Sequence, residues 1–212
     1  MIGSCALKRF DSGDISGMEQ RFRTQFINSI TGFKSLNLVG TINKHGMTNL
    51  AVFSQVVHLG ANPSLIGIIV RPDSVPRHTL ANIAETGYFT LNHVLESFIR
   101  QAHQTSARYP EEVSEFTATG LNPLFSEVIE APYVAESNIR IGLQWRETIP
   151  IPLNGTLLVI GEVVEVFLPG DCLGEDGYVD LNEAGTITVA GLDAYHRTEK
   201  IVRLPYAKAE NY

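Results

Sequence analysis

The sequence is poor in cysteine and contains none of the common catalytic signatures. Its 212 residues include only Cys5 and Cys172, so no disulfide framework is expected. G-x-G-x-x-G, Walker A, H-E-x-x-H and G-x-S-x-G motifs are missing, which disfavours the common nucleotide-binding folds and the α/β-hydrolases. A signal-peptide core and apolar runs of about 18 residues are also missing. We therefore expect a cytoplasmic protein without membrane contact.

Positive charge is also scarce in this chain. The formal net charge is −7 and the isoelectric point is about 5.3. Because binding to a phosphate backbone needs a basic face, nucleic acid is not an expected partner. The histidines lack zinc-site spacing, and the acids of 171–180 do not fit a calcium loop, so no metal site is predicted.

Alternating polarity and β-forming residues predict a mainly β protein. Residues 36–42 alternate, 43–46 (NKHG) read as a turn, and 50–57 (LAVFSQVV) return as one second strand. The continuous apolar run 65–70 (LIGIIV) predicts a central strand buried on both faces. Asn154-Gly155 predicts the turn of a long hairpin.

Short helices interrupt these strands. Residues 1–13 are expected to form a loose tail, and Gly87 is the expected left-handed C-cap of one helix. Helices are predicted at 17–29, at 77–86, at 97–107 and from Pro110 onwards. The pattern favours a closed or nearly closed antiparallel barrel with helical insertions, although 64–94 leaves a parallel crossover open.

The chain divides into three predicted parts. Residues 1–30 form a tail and a short helix, and 31–170 form the barrel domain. Residues 171–212 form a C-terminal extension that packs on the barrel or on a dimer partner, and its acidic, glycine-rich start is expected to be a loop.

The stretch 71–83 (RPDSVPRHTLANI) gathers positive charge and hydroxyls where a buried strand gives way to a helix. Arg77, His78 and Thr79 lie at the first turn of that helix, and Arg71 lies at the strand end. Cations are unfavourable at a helix N-terminus unless an anion lies between them and the backbone. The stretch therefore indicates a phosphate site or, alternatively, an exposed turn whose arginines pair with surplus acids.

Other polar residues occur inside apolar strands. Asn49, Ser54 and Gln55 lie within 46–57, and buried polar groups need partners in the protein or in a ligand. A flat heterocycle with imide edges is one such ligand, and local backbone bonds are the alternative. His93 follows Asn92 at a strand end, where it is either structural or a ligand contact.

Taken together, these segments resemble the flavin reductase-like family, whose fold is the FMN-binding split barrel and which includes the flavoredoxins. The similarity runs in order through four segments and covers about residues 30–200. The segments are LNLVGTINKHGMTNLAVFSQVVHLGANPSLIGIIV, RPDSVPRHTLANIAETGYFTLNHV, LVIGEVVEVFL and GLDAYHR.

The resemblance implies a mainly β, FMN-binding split β-barrel with short helical insertions. It also implies a homodimer with FMN, or FAD, between the subunits. The implied ring contacts are Asn49, Phe53, Ser54 and Gln55, and the implied phosphate contacts are Arg71, Arg77 and Thr79. His78 replaces a frequent aspartate and still has a side chain able to face the phosphate, and His93 is expected near the ring or a nicotinamide.

The resemblance further implies an NAD(P)H-dependent flavin oxidoreductase. NAD(P)H would be a transient co-substrate that delivers hydride to flavin N5, and no side chain is expected to act as acid or base. The alternatives are a flavoredoxin-like electron carrier with a protein redox partner, and a flavin- or haem-binding module without redox turnover.

Overall fold

The computed structural model describes residues 6–72 and 77–208. Strands make up most of its regular structure. In chain order they are β1 Lys34–Ser35, β2 Asn37–Ile42, β3 Thr48–Phe53, β4 Val56–Ala61, β5 Ser64–Val70, β6 Tyr88–His93, β7 Pro123–Leu124, β8 Tyr133–Val134, β9 Arg140–Ile151, β10 Thr156–Phe167, β11 Thr188–Ala190 and β12 Ala194–His196.

The helices are short and lie outside the main sheet. They are α1 Ser12–Gly17, α2 Gln20–Ile30, α3 His78–Thr86, α4 Ile99–Gln104 and α5 Glu115–Thr119. A 3-10 turn, Glu96–Phe98, leads into α4, and another spans Gly170–Cys172. Within the described ranges, no helix combines the length and apolar character needed to cross a lipid bilayer.

The main sheet has seven strands in the order β3-β2-β6-β9-β10-β5-β4. Each neighbouring pair is antiparallel. The long β9–β10 hairpin joins its two halves, because β9 pairs with β6 and β10 pairs with β5. The turn of this hairpin contains Gly155 with φ 72°, a backbone conformation that favours glycine.

This sheet curls into a barrel around a single apolar cluster. Val39 of β2, Leu143 of β9 and Ile68 of β5 are all fully buried in that cluster, although β2 and β5 are far apart in the strand order. Phe89 of β6 fills space above Gly161, where an added Cβ would lie 2.7 Å from the Phe89 ring. Strands from both halves therefore share one interior.

The barrel stays open along one seam, between its edge strands β3 and β4. No hydrogen-bonded ladder joins these two strands, although only Ser54 and Gln55 connect them in the chain. Three Cα–Cα steps of about 3.8 Å cannot separate Phe53 from Val56 by more than roughly 11 Å. The end of β3 and the start of β4 consequently lie close together where the chain crosses the seam.

A second apolar cluster covers the outer face of β2 and β3. Leu38 and Leu50 pack there with Phe98, Phe116 and Val189, which brings the α4–α5 region and β11 onto the barrel. β11 also joins β1 and β12 in a small three-stranded sheet. The predicted division at 1–30, 31–170 and 171–212 stays a prediction.

Most of the predicted elements are present. The strand at 36–42, the helix at 77–86 and the Asn154-Gly155 hairpin are confirmed within a residue or two. Gly87 ends α3 with φ 78°, as expected for a left-handed cap.

Three expectations about the strands were wrong. The stretch 50–57 is two strands on opposite edges of the sheet, because the chain crosses the seam at Ser54 and Gln55. The segment 64–94 is not a parallel crossover, since three antiparallel pairings separate β5 from β6 and these two strands therefore run in opposite directions. β5 is flanked by β10 and β4, but Leu65, Ile66 and Ile69 are only half-buried, so it is not buried on both faces.

The remaining corrections concern helix starts. A capping box formed by Asp11 and Asp14 begins α1 at Ser12, inside the predicted tail 1–13. Pro110 does not begin a helix; its carbonyl accepts a turn bond from Val113, and α5 begins after Ser114.

Candidate functional site

The Ser54–Gln55 loop crosses the seam beside the end of β5. The backbone carbonyl of Gln55 accepts a hydrogen bond from the Ile69 amide at 3.0 Å. Arg71, two residues after Ile69, is exposed, as is Gln55, and Ser54 is half-buried. The fold therefore places three of the predicted site residues, Ser54, Gln55 and Arg71, next to one another.

Helix α3 presents an uncapped N-terminus. Its N-cap residue is Arg77, with φ −121° and ψ 84°, and within 6–72 and 77–208 no side chain accepts a bond from the first-turn amides. A helix leaves its first N–H groups without intrahelical partners, and these groups attract anions. By contrast, Asp11 and Glu19 supply side-chain acceptors at α1 and α2. The start of α3 is thus suited to an external acceptor.

The Arg77 guanidinium lies over the same end of α3. Its Nη2 donates to the Pro72 carbonyl at 3.4 Å, and its buried Nε has no acceptor among the described residues. His78, the first residue of the helix, is half-buried. Residues 73–76, which include Ser74 and Pro76 of the predicted phosphate turn, lie outside the described residues.

Buried polar side chains fix α3 against β2 and β3. The Asn49 amide donates to the Thr79 hydroxyl at 3.1 Å and to the Thr41 hydroxyl at 3.3 Å. Asn82 donates to the same Thr41 hydroxyl at 3.1 Å. Partners within the protein therefore exist for Asn49, and its contact with a ring stays a prediction. Because Thr79 accepts through its oxygen, its hydroxyl hydrogen can still donate.

The two ends of β3 mark the length of the candidate site. Asn49 and the start of α3 lie at one end, and Ser54 lies at the other, five residues along the chain. At about 3.3 Å per residue this separation is roughly 16 Å. Phe53 turns its half-buried side chain into the barrel core, so its backbone is the part that borders the seam.

His93 lies at the end of β6, on the inner side of the sheet. Its Nδ1 is 3.0 Å from the Thr186 hydroxyl, and desolvation lowers the pKa of the imidazole to about 4. The ring is therefore neutral near pH 7. It is separated from Phe53 by one strand, since Asn37 of β2 pairs with both residues.

Sequence reasoning missed Glu115, which borders the seam from outside. Its buried carboxylate accepts a bond from the Leu50 amide of edge strand β3 at 2.8 Å, and Ser114 contacts Thr48 at 2.7 Å. Burial raises the pKa of Glu115, and the bond from Leu50 and the charge of His78 oppose that shift. The only signal in the sequence was an acid at the start of a helix.

A surface cleft of about 730 Å³ lies away from these residues. It is formed by the β2–β3 turn, Tyr88 and residues 125–130, and none of the predicted site residues lines it. Glu127 and Glu130 border this cleft, and carboxylates are unsuited to a phosphate. The seam, with its two arginines, is the better candidate for an anionic ligand.

Comparisons with known proteins agree with this geometry. The pattern of the flavin reductase like domain matches residues 34–184. An uncharacterized protein of Halalkalibacterium halodurans is 36% identical over 153 residues, which are 69% of this chain and 73% of that protein.

Solved structures share the fold. A candidate flavin reductase with a split barrel domain from Shewanella frigidimarina has 47% identity and a TM-score of 0.91, covering 94% of this chain and all of that one. The flavoredoxin of Desulfovibrio vulgaris has 24% identity and a TM-score of 0.72, covering 82% and 92%. The predicted split barrel with short helical insertions is confirmed.

Proposed function

Because the chain belongs to the flavin reductase-like family, we propose that it binds FMN along the seam and acts as an NAD(P)H-dependent flavin oxidoreductase. One observation carries the proposal. The open edge of β3 runs from the uncapped, arginine-bearing start of α3 to the Ser54–Gln55 loop. An anion-binding end and a polar, flat end thus border one elongated gap, as a mononucleotide requires.

The phosphate would lie at the start of α3. Arg77 has a buried Nε without an acceptor among the described residues, Thr79 has a hydroxyl hydrogen to donate, and the first-turn amides lack intrahelical partners. Arg71 lies beside Ser54 and Gln55, at the other end of the site, and would add positive charge near the ring. Charged hydrogen bonds to phosphate oxygens would satisfy the donors of Arg77, Thr79 and the first helical turn together, which a water molecule does less well. The residues present therefore fit a phosphate monoester.

The ring would lie beside Ser54 and Gln55. Side-chain hydroxyl and amide groups there can bond to ring carbonyls and the ring N–H. FAD shares the same ring and first phosphate, and we propose FMN because Arg77 and the helix start bind a terminal phosphate best.

A homodimer is part of the proposal. The outer side of β4, β5 and β10 is apolar, and the side chains of Val57, Leu59 and Leu158 fold over Gly67. Val57 is 42% and Leu59 is 40% exposed in the single chain. A contiguous apolar sheet surface is typical of a protein–protein interface. A second copy bound there would also cover the seam next to β4.

A bound flavin would supply the redox chemistry by accepting hydride from NAD(P)H. The chain's own residues would bind and orient it. The neutral His93 cannot supply a positive charge near pH 7, so stabilisation of negative charge would come from backbone amides, Arg71 and Arg77. No described side chain is needed as a proton donor for hydride transfer.

The direct test is a steady-state assay of the purified protein with NADH or NADPH and free FMN. Absorbance near 450 nm and mass spectrometry of the released cofactor would identify the flavin. Oxidation of either nicotinamide supports the reductase. Bound flavin that is reduced only by a partner reductase would instead support the flavoredoxin-like carrier. Colourless protein that binds no added FMN would contradict both, and a haem would show as a Soret band.

The cytoplasmic location stays a prediction.

A further inference from the structure

A row of three residues crosses the sheet beside the Ser54–Gln55 loop. Asn37 of β2 pairs directly with Phe53 of β3 on one side and with His93 of β6 on the other. Directly opposed residues of antiparallel strands point to the same face, with Cβ atoms about 4.5–5.5 Å apart. Asn37 and His93 therefore lie side by side on the inner face, one strand away from the loop.

Asn37 is an unsatisfied polar residue in this row. It is 2% exposed, and its side-chain oxygen Oδ1 has no donor among residues 6–72 and 77–208. The next inward-facing position of the same strand is Val39, which is fully buried in the barrel core. A buried acceptor without a donor is destabilising. The Asn37 oxygen is thus an acceptor that a donor from outside the described residues would satisfy.

His93 is held in place from the opposite side. The Thr186 hydroxyl forms a hydrogen bond with His93 Nδ1. The backbone of Thr186 is held in turn by a β-bridge to Leu95. Next to it, the Ile187 amide donates to the Val94 carbonyl at 3.1 Å. Nε2 is the nitrogen left to meet a ligand. In a neutral imidazole one ring nitrogen donates a hydrogen bond and the other accepts one. If Nδ1 accepts from the Thr186 hydroxyl, Nε2 carries the hydrogen and can donate to a ligand.

We propose that Asn37 and His93 together receive an amide edge, a carbonyl next to an N–H, of a planar ligand bound at the Ser54–Gln55 loop. The N–H would donate to Asn37 Oδ1, and the neighbouring carbonyl would accept from His93 Nε2. Thr186 is then a positioning residue. This inference rests on the proposed function, because the flavin imide and the nicotinamide carboxamide both carry such an edge.

The flavin arm of the test uses the full-length protein and the ring alone. Wild type and Asn37→Leu are titrated with lumiflavin, which lacks the ribityl phosphate, and with its N3-methyl derivative. We expect Asn37→Leu to weaken lumiflavin binding about 5- to 10-fold, the effect of one lost hydrogen bond. The N3-methyl derivative should bind the wild type more weakly than lumiflavin by a similar factor. It should bind Asn37→Leu about as well as lumiflavin does, since the methyl group and the substitution remove the same hydrogen bond. Asn28→Leu, on exposed α2, is the control.

The nicotinamide arm measures KM for NADH and NADPH at saturating FMN. A 5- to 10-fold rise in KM for Asn37→Leu, with lumiflavin binding unchanged, identifies the carboxamide as the bound edge. Apo-protein stability is measured alongside, and Asn37→Leu should unfold at the same or a higher urea concentration than the wild type. Unchanged binding in both arms overturns the inference and leaves the flavin site intact. Failure of the wild type to bind flavin or nicotinamide overturns the proposed function as well.

Three further variants keep the test independent of the folding of Asn37→Leu. His93→Gln keeps a side-chain N–H near Nε2 and should retain lumiflavin affinity better than His93→Phe. Thr186→Val removes the hydrogen-bond partner of Nδ1 and lets the ring rotate, so this variant should bind lumiflavin more weakly than the wild type. Equal affinities for His93→Gln and His93→Phe, with an unchanged affinity for Thr186→Val, would contradict the assignment of these residues.

Discussion

At the scale of single residues, the guanidinium of Arg77 decides whether the start of α3 binds a phosphate. Replacing Arg77 with Ala removes a charged donor that contributes about 1.5–3 kcal/mol. We expect the dissociation constant for FMN to rise roughly ten- to a hundredfold, since each 1.4 kcal/mol is about tenfold. Fluorescence titration of the apoprotein with FMN measures this dissociation constant.

Riboflavin and a second arginine separate the phosphate contact from general effects of charge. Riboflavin lacks the phosphate, so Arg77→Ala should leave its affinity unchanged. Arg197→Ala removes an exposed arginine that is paired with Glu96, and FMN binding should not change. Equal losses for FMN and riboflavin in Arg77→Ala would show that Arg77 supports the fold instead of the ligand.

The residues of the candidate site differ in how far the sequence reveals them. Arg71 and Arg77 stand out because cations at a strand end and a helix start are misplaced without an anion, a local signal. Asn37 gives no such signal, because its missing donor is known only from the surroundings of a folded strand. The sequence also marks Asn49 as a buried polar residue, but its partner Thr79 is 30 residues away.

At the scale of elements, α5 protects the open edge of β3. An unpaired edge strand exposes backbone N–H donors. The Glu115 carboxylate accepts the hydrogen bond from the Leu50 amide. Glu115→Ala leaves that amide unsatisfied and should lower the free energy of unfolding by about 1–3 kcal/mol. Glu115→Gln keeps an acceptor oxygen and should cost much less. Urea denaturation of the three proteins compares them.

The pH dependence of stability distinguishes the charge of Glu115 from its hydrogen bond. Burial raises the pKa of this carboxyl in the folded state above its ordinary value of 4.5. The folded protein therefore holds the proton more tightly, and stability falls as pH rises from 4.5 through the raised pKa. Glu115→Gln cannot ionise, so its free energy of unfolding should rise relative to that of the wild type as the pH increases across that window. A constant difference between the two proteins from pH 4 to pH 8 would contradict this.

Element prediction from the sequence succeeded where the cause is local. The alternation of β2, the Asn154-Gly155 turn and the Gly87 cap depend on neighbouring residues, and all three are present. The break at Ser54 and Gln55 was missed because apolar β-formers continue on both sides of it. What ends β3 there is the closure of the barrel, since the chain must pass from one edge of the sheet to the other.

At the scale of the whole molecule, the seam and the apolar outer sheet adjoin each other at β4. β4 forms one edge of the seam and also contains the exposed residues Val57 and Leu59. A partner seated on these residues would therefore reach the proposed flavin site, so dimerisation and flavin binding should be coupled. The sequence alone does not reveal this, because Val57 and Leu59 read as ordinary strand residues until the curvature of the sheet turns them outward.

Leu59→Asp tests that coupling. Leu59 is 40% exposed in the single chain, so a monomer should tolerate the aspartate, whereas a dimer would bury an unpaired charge on each copy. Such a charge costs about 3–5 kcal/mol, which raises the dimer dissociation constant at least roughly a hundredfold. Sedimentation velocity should show a monomer, and FMN titration should show weaker binding. Leu124→Asp, at 39% exposure on β7, is the matched control and should stay dimeric. A Leu59→Asp protein that remains a dimer with full flavin affinity would place the interface on another face of the barrel.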